Sequence, residues 1–291
     1  MLTPDHDNAT SHSYFSQRLR LHYLDWGNVG APNLLLVHGM HDHCRSWDWV
    51  ARRLRRSYHI VAPDLRGHGD SQWVIGSGYA HTDYVYDIAQ LVRQAQLAPV
   101  TIIAHSMGGT LACLYAGLYP ERVSRVVIVE GVGHWWHFFD RPAAQDRLRN
   151  WIDSTRAQAS RIPRRYTTLE DAFLRMQTTN PHLTPEQARH LTVHASHQNE
   201  DGTYTWKFDN YTHAHPPYDV SADDTQAIWR DITCPVLFVN AAQGYPQRIG
   251  QDDTLAHFRN AQLVDLPDAG HWAHHDQLDA FMGVVERFLA N

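Results

Sequence analysis

Lysine is almost missing from this chain. Lys207 is the only one in 291 residues, although lysine and arginine together number 25. That removes Schiff-base chemistry, which needs a reactive lysine amine. It also removes a serine–lysine mechanism at Ser106, because Gly109 takes the lysine position. Cysteine is scarce: Cys44, Cys113 and Cys234 are odd in number and widely spaced, and the last two sit in apolar stretches. They read as buried thiols, not as a disulfide framework, and fit a reducing, cytoplasmic setting. No apolar run approaches the roughly 18 residues of a membrane span, so membrane insertion is not expected. The first 17 residues are polar, without a basic start or an apolar core, so no secretion signal is expected. Excess positive charge is absent too: a net charge of −6 argues against nucleic acid and anionic membrane surfaces as partners.

Histidine is abundant, at 22 residues, but falls in loose groups such as His41 with His43, His213 with His215, and His271 with His274 and His275. No His-Glu-x-x-His or Cys-x-x-Cys spacing accompanies them. Surface or hydrogen-bonded histidines are expected, and no metal. The apolar fraction of 43% is ample for a core.

Short apolar runs alternate with longer amphipathic stretches, the pattern of a mostly parallel, doubly wound α/β sheet. Strands are expected at 19–25, 33–37, 58–62, 100–104, 126–129, 235–239 and 262–266. Helices are expected at about 47–56, from a cap at Thr82 or Asp83 to about 96, at 110–119, and at 276–289. Between Gly131 and about Trp229 the rhythm stops. That stretch has helical segments, several prolines and many aromatics, with no strong strand alternation. A structureless loop of this length would be improbable. The expected organisation is therefore a core of residues 1–131 and 229–291, with a helical cap insertion over 132–228. Cap aromatics such as Trp135 and Trp136 are candidates for facing a substrate.

The chemistry-bearing signal is Pro99-Val-Thr-Ile-Ile-Ala-His-Ser-Met-Gly-Gly109. A buried-strand pattern runs into a small-residue turn with Ser106 at its apex, and helix-like sequence follows. That is a nucleophile elbow, in which a sharp strand-to-helix turn lifts a hydroxyl above the sheet. Residues two before and two after the serine must be small, and Ala104 and Gly108 are. The elbow puts the Met107 N–H at a helix N-terminus, where it can meet a developing oxyanion. Asp64-Leu-Arg-Gly-His-Gly-Asp-Ser71 reads as a scaffold turn tied by Asp64 and Arg66. It lacks the Gly-Lys-Ser/Thr ending of a phosphate loop.

His38-Gly39 after one strand, Asp64–Ser71 after the next, the elbow, and Gly270-His271 after the last strand occur in order. In that order the chain resembles the α/β-hydrolase superfamily, its capped serine-hydrolase, carboxylesterase-like branch. The resemblance covers 19–131 and 229–291, and matches the insertion only in position. It implies an α/β-hydrolase fold and no cofactor. It makes His271 the base for Ser106, ahead of His274 and His275, and Met40 the second oxyanion donor through its backbone N–H. His38 and His105 are expected to brace loops, and His41, His105, Trp135 and Trp136 to border the substrate pocket. Trp272 is expected to pack beneath the histidine loop. The commoner site for the triad acid, after the strand 235–239, holds Gly244 instead of a carboxylate. The alternative site, after the strand that follows the elbow helix, holds Glu130, which becomes the expected acid, with Asp252 and Asp253 as rivals. The implied activity is hydrolysis of small to medium esters through an acyl-enzyme. Hydrolysis of a carbon–carbon bond in a ring-cleavage diketone, or ligand binding by an inactive relative, are the alternatives. Serine at the elbow sets the chain apart from dehalogenases and epoxide hydrolases, which carry aspartate there.

Overall fold

A computed structural model describes residues 9–76, 78–132, 143–214, 216–246 and 248–290, so Trp135, Trp136 and His215 lie outside the described residues. The chain begins with β1 (Thr10–Ser16), β2 (Leu19–Asp25) and β3 (Asn33–Val37). Next come α1 (Asp48–Leu54), β4 (His59–Pro63), α2 (His81–Gln94), β5 (Val100–His105), α3 (Met107–Leu118) and β6 (Val123–Val129). After β6 lie α4 (Ala144–Ala159), α5 (Leu169–Thr179), α6 (Pro185–Ala195), the hairpin β7 (Ser196–Gln198) and β8 (Tyr204–Trp206), and α7 (Ala222–Arg230). The last elements are β9 (Val236–Ala241), β10 (Ala261–Leu266), α8 (Ala273–Asp276) and α9 (Leu278–Ala290).

Eight strands form one sheet in the order β1-β2-β4-β3-β5-β6-β9-β10. Pairings from β4 through β10 are parallel, while β1 with β2 and β2 with β4 are antiparallel. Every residue of β4, β5 and β9 is buried, as expected of parallel strands covered on both faces. Successive side chains alternate between two cores. Leu35, Val37, Ile102 and Ala104 pack beside α2, α3 and α7; Leu34, Leu36, Ile103 and Val127 pack beside α1 and α9.

Three local features depart from the sequence reading. β1 was hidden in the polar opening of the chain; it is an edge strand with five of its seven residues exposed, so little apolar pattern is required of it. The cap of α2 is Ala80, and Asp83 reaches back to accept its N–H from the third helical position. The stretch between β6 and β9 is mainly helical but also holds the short hairpin β7–β8, held to Tyr166 by an isolated bridge.

The segment is tied back to the sheet. Phe173, Leu183, Ala188 and Leu191 of the α5–α6 region pack together with Trp272 against them. Trp272 therefore meets this helical segment. Gln187 Nε2 donates to the His275 carbonyl at 2.9 Å, and His43 Nε2 lies 3.2 Å from the Leu191 carbonyl.

Candidate active site

Three of the pieces that build the site are strained ends of parallel strands. Ser106, between β5 and α3, has φ 51° and ψ −123°. Glu130, after β6, has φ 49°, and His41, in the loop after β3, has φ 61°. Non-glycine residues avoid this left-handed region unless the surroundings impose it, and such residues gather at functional sites. The surroundings here are tight. A Cβ on Gly39 would lie 3.0 Å from Ser106 Cβ and 2.9 Å from His105 Nδ1. One on Gly108 would lie 2.5 Å from the His38 carbonyl. The β3 loop thus presses directly on the elbow, bringing the Met40 segment beside Ser106. Met107 opens α3, whose first N–H groups have no intrahelical acceptor. Ser106 keeps partial exposure, while Met107 is buried.

His271 follows β10 and is joined to the elbow through Ser106's neighbour. His105 Nε2 lies 2.8 Å from the His271 carbonyl, and their ring centroids are 4.6 Å apart. His105 is buried, so it occupies the wall behind the site, not an open pocket surface. On the other side, the Tyr245 ring lies 4.3 Å from that of His271. Tyr245 was missed by sequence reasoning, and only its place after Gly244 could have pointed to it.

The carboxylate of Glu130 is buried, with Oε2 3.5 Å from His271 Nδ1, a nitrogen that makes no hydrogen bond. The Ala241 N–H donates to Glu130 Oε1 at 2.5 Å and the Tyr245 N–H to Oε2 at 3.1 Å. A Cβ built on Gly244 would overlap this carboxylate. The two alternative acid positions of the fold thus converge on one volume, and the missing side chain at 244 is what admits Glu130. Asp252 and Asp253 are exposed, and Asp252 is spent capping a short 3-10 turn through the Thr254 N–H at 3.0 Å. The structure does not bring them to His271.

The other histidines are more deeply buried than their polarity suggested. His38, His43, His68, His105, His274 and His275 are all buried. Burial pulls His38 and His43 down to about 4 and His68 and His275 to about 3, and holds His105 and His274 well below the ordinary value. His38 Nε2 accepts the Leu65 N–H at 3.0 Å, bracing its loop. His274 stacks on Trp47 at 4.5 Å, and His275 Nε2 lies 2.9 Å from Ser46 Oγ. Two groups bring possible metal-ligating atoms within 4.8 Å of one another: His22, Cys44 and Asp64, and Asp42, His105 and His274. The first is internally satisfied. His22 Nδ1 meets Asp64 Oδ2 at 2.7 Å and the Cys44 N–H donates to Oδ1 at 2.7 Å. Burial would raise the Asp64 carboxyl, but these partners hold it well below the usual carboxylate range. Arg66 forks onto Asp87 at 2.6 and 2.8 Å, so this stretch is scaffold.

His41 is half-buried, with Nε2 3.1 Å from Thr212 Oγ1 and its ring 4.3 Å from Phe208 and 4.4 Å from His213. The β3 loop therefore touches the segment that follows β8.

A parallel sheet of this order, with a serine on the β5–α3 turn, is the architecture of the α/β hydrolases. The chain belongs to that family: its alpha/beta hydrolase fold matches residues 32–278. It is similar to a 3-hydroxybutyrate-oligomer hydrolase of Cupriavidus necator, with 29% identity over 268 residues, 87% of each chain. Over a shorter stretch of 112 residues, 38% of this chain and 31% of the other, it is 33% identical to epoxide hydrolase 4 of Homo sapiens. Among solved structures, a hypothetical protein from Pseudomonas aeruginosa PAO1 superposes with a TM-score of 0.83 at 24% identity, covering 97% of this chain and 99% of the other. Homologues named as hydrolases and the family fold make this chain a member of a hydrolase family. No helix among the described residues is long and apolar enough to cross a membrane.

Proposed function

We propose that the chain is a serine hydrolase that cleaves small to medium esters through an acyl-enzyme on Ser106. His271 Nε2 takes the Ser106 proton as Oγ attacks the ester carbonyl. The resulting oxyanion is met by the N–H groups of Met40 and Met107, each such donor being worth about 10²–10³ in rate. The tetrahedral intermediate collapses, the alcohol leaves with the proton from His271, and an acyl group remains on Oγ. Water then attacks, giving its proton to His271, and releases the acid and the free serine. Glu130 holds the Nδ1–H tautomer and stabilises the imidazolium.

The observation that carries this reading is the buried Glu130 carboxylate 3.5 Å from His271 Nδ1, on a loop bonded to the residue beside Ser106. A carboxylate oriented on an imidazole whose loop reaches the elbow is what acyl transfer requires. Serine in place of aspartate separates the chain from epoxide-opening chemistry, despite the partial likeness to epoxide hydrolase 4. The Cupriavidus relative adds weight to an ester, since oligomers of a hydroxy acid are joined by ester bonds.

A fluorophosphonate probe should label the protein, and Ser106→Ala should abolish both labelling and turnover of 4-nitrophenyl butyrate. Faster turnover of a vinylogous ring-cleavage diketone than of the ester would reassign the site to carbon–carbon hydrolysis. No labelling and no turnover would leave a pocket without catalysis.

A further inference from the structure

We infer that the cleft beside His41 is a carboxylate-binding subsite, so that the preferred substrate is an ester carrying a free carboxylate away from the scissile bond. This rests on the ester-hydrolase reading of Ser106. The cleft has a volume of about 200 Å³ and is lined by Arg161, Arg164, Arg175, Phe208, Trp206 and His213 among others. The three arginines come from the loop after α4 and from α5, and no ion pair to a carboxylate is made by any of them among the described residues. That contrasts with their neighbours: Arg165 pairs with Asp201, and Arg189 with Glu170 at 2.9 Å. In a chain of net charge −6, three uncompensated guanidinium groups converging on one small cleft are a concentrated positive field.

The nearby acid Asp209 is already spent. It is buried, accepting the Tyr79 hydroxyl at 2.5 Å and the Tyr211 N–H at 2.9 Å. The walls are aromatic and fixed: Trp206 Nε1 donates to Tyr166 Oη at 3.1 Å, and Arg164 lies 5.3 Å over the Tyr166 ring. Arg161 also acts on the cleft's own histidine. After burial, its charge is what pulls His213 below the ordinary value. Two wall residues, Phe208 and His213, pack on His41, which follows Met40 directly. A ligand seated among the arginines is therefore one residue-layer from the loop that would hold the oxyanion.

Guanidinium groups recognise planar carboxylates through paired N–H donors. Flanking aromatic walls suit a short carbon chain. The ligand is thus one molecule with two functions: an ester bond placed at Ser106 and an anionic end placed at the arginines.

The test compares 4-nitrophenyl half-esters of glutarate and adipate with 4-nitrophenyl pentanoate, which lacks the acid. The wild-type protein should prefer the acid-ended ester in kcat/KM by about tenfold to hundredfold, the range expected for charged hydrogen bonds. Much of that preference should vanish at high salt, because the arginines are exposed. Arg161→Gln/Arg175→Gln should erase it through KM while leaving pentanoate turnover and fluorophosphonate labelling intact, which also verifies folding. Glutarate binding to Ser106→Ala, followed by calorimetry, should weaken at least tenfold when the two arginines are replaced. This arm does not depend on catalysis. Equal turnover of acid-ended and neutral esters, or a preference and binding unchanged by the double substitution, would overturn the subsite. Loss of labelling in the wild type would instead remove the ester reading.

Discussion

Glu130 and Gly244 share one volume, and that fact sets the sharpest expectation at the level of single residues. Glu130→Gln should lower ester turnover by about 10⁴ with little change in stability, the loss seen when the orienting carboxylate of a serine triad is removed. Gly244→Asp alone should also fail, because its side chain would overlap the Glu130 carboxylate. In a Glu130→Ala background, however, the same aspartate should find the space empty and recover at least tenfold of the lost rate. Steady-state kinetics on the three variants decides this, and a double variant no better than Glu130→Ala would mean that the carboxylate acts by something other than its position. Ser106 stood out in the sequence as a strand running into a small-residue turn, whereas Glu130 was reached only through the family resemblance, with Asp252 and Asp253 as rivals. Tyr245 was not legible, because an aromatic in a loop carries no sign of the ring it will meet. Many of the histidines are hydrogen-bonded, as expected, but their depth was not legible. Their polarity argues for exposure, and only three-dimensional packing shows eight of them buried among the described residues.

Among the elements, α3 is the one whose neighbours leave no room. A Cβ on Gly117 would overlap the Ile228 carbonyl of α7, whereas one on Gly283 of α9 would approach nothing nearer than the tip of Arg287 at 3.6 Å. Gly117→Ala should therefore destabilise by about 1–3 kcal/mol, as overpacking does. Gly283→Ala should be neutral or stabilise by up to about 1 kcal/mol, since it removes a flexible residue from a helix. Urea midpoints measured on both variants distinguish the cases; equal midpoints would mean that α7 shifts freely away from α3. The central strands could be read because burial on both faces demands continuous apolar sequence. The edge strand β1 and the hairpin β7–β8 could not, since exposed or very short strands impose no such pattern.

At the scale of the whole molecule, the buried histidines tie stability to pH. Unfolded, each would take up a proton near pH 6.5, whereas His38 and His43 resist until about 4 and His68 and His275 until about 3. Between those limits the unfolded chain binds more protons, so folding is fully favoured above pH 6.5 and weakens as pH falls. Each group contributes up to about 1.4 kcal/mol per pH unit. Asp42, pushed up to about 7 by burial, acts in the opposite sense, as do Asp87 and Asp276, whose carboxyls burial also raises. The lowered histidines outnumber them, because His41, His105, His213 and His274 shift in the same direction as the four. Melting temperature should drop steeply from pH 6.5 to 5; a flat or rising curve would show that these rings are solvated.

Rapid acid quenching of the protein during turnover of 4-nitrophenyl butyrate, followed by peptide mass analysis, addresses the chemistry itself. The expected result is a butyryl group on the peptide containing Ser106, accumulating further when Glu130→Gln slows the attack of water. An unmodified Ser106 peptide during active turnover, or the acyl group on any other residue, would contradict the covalent route.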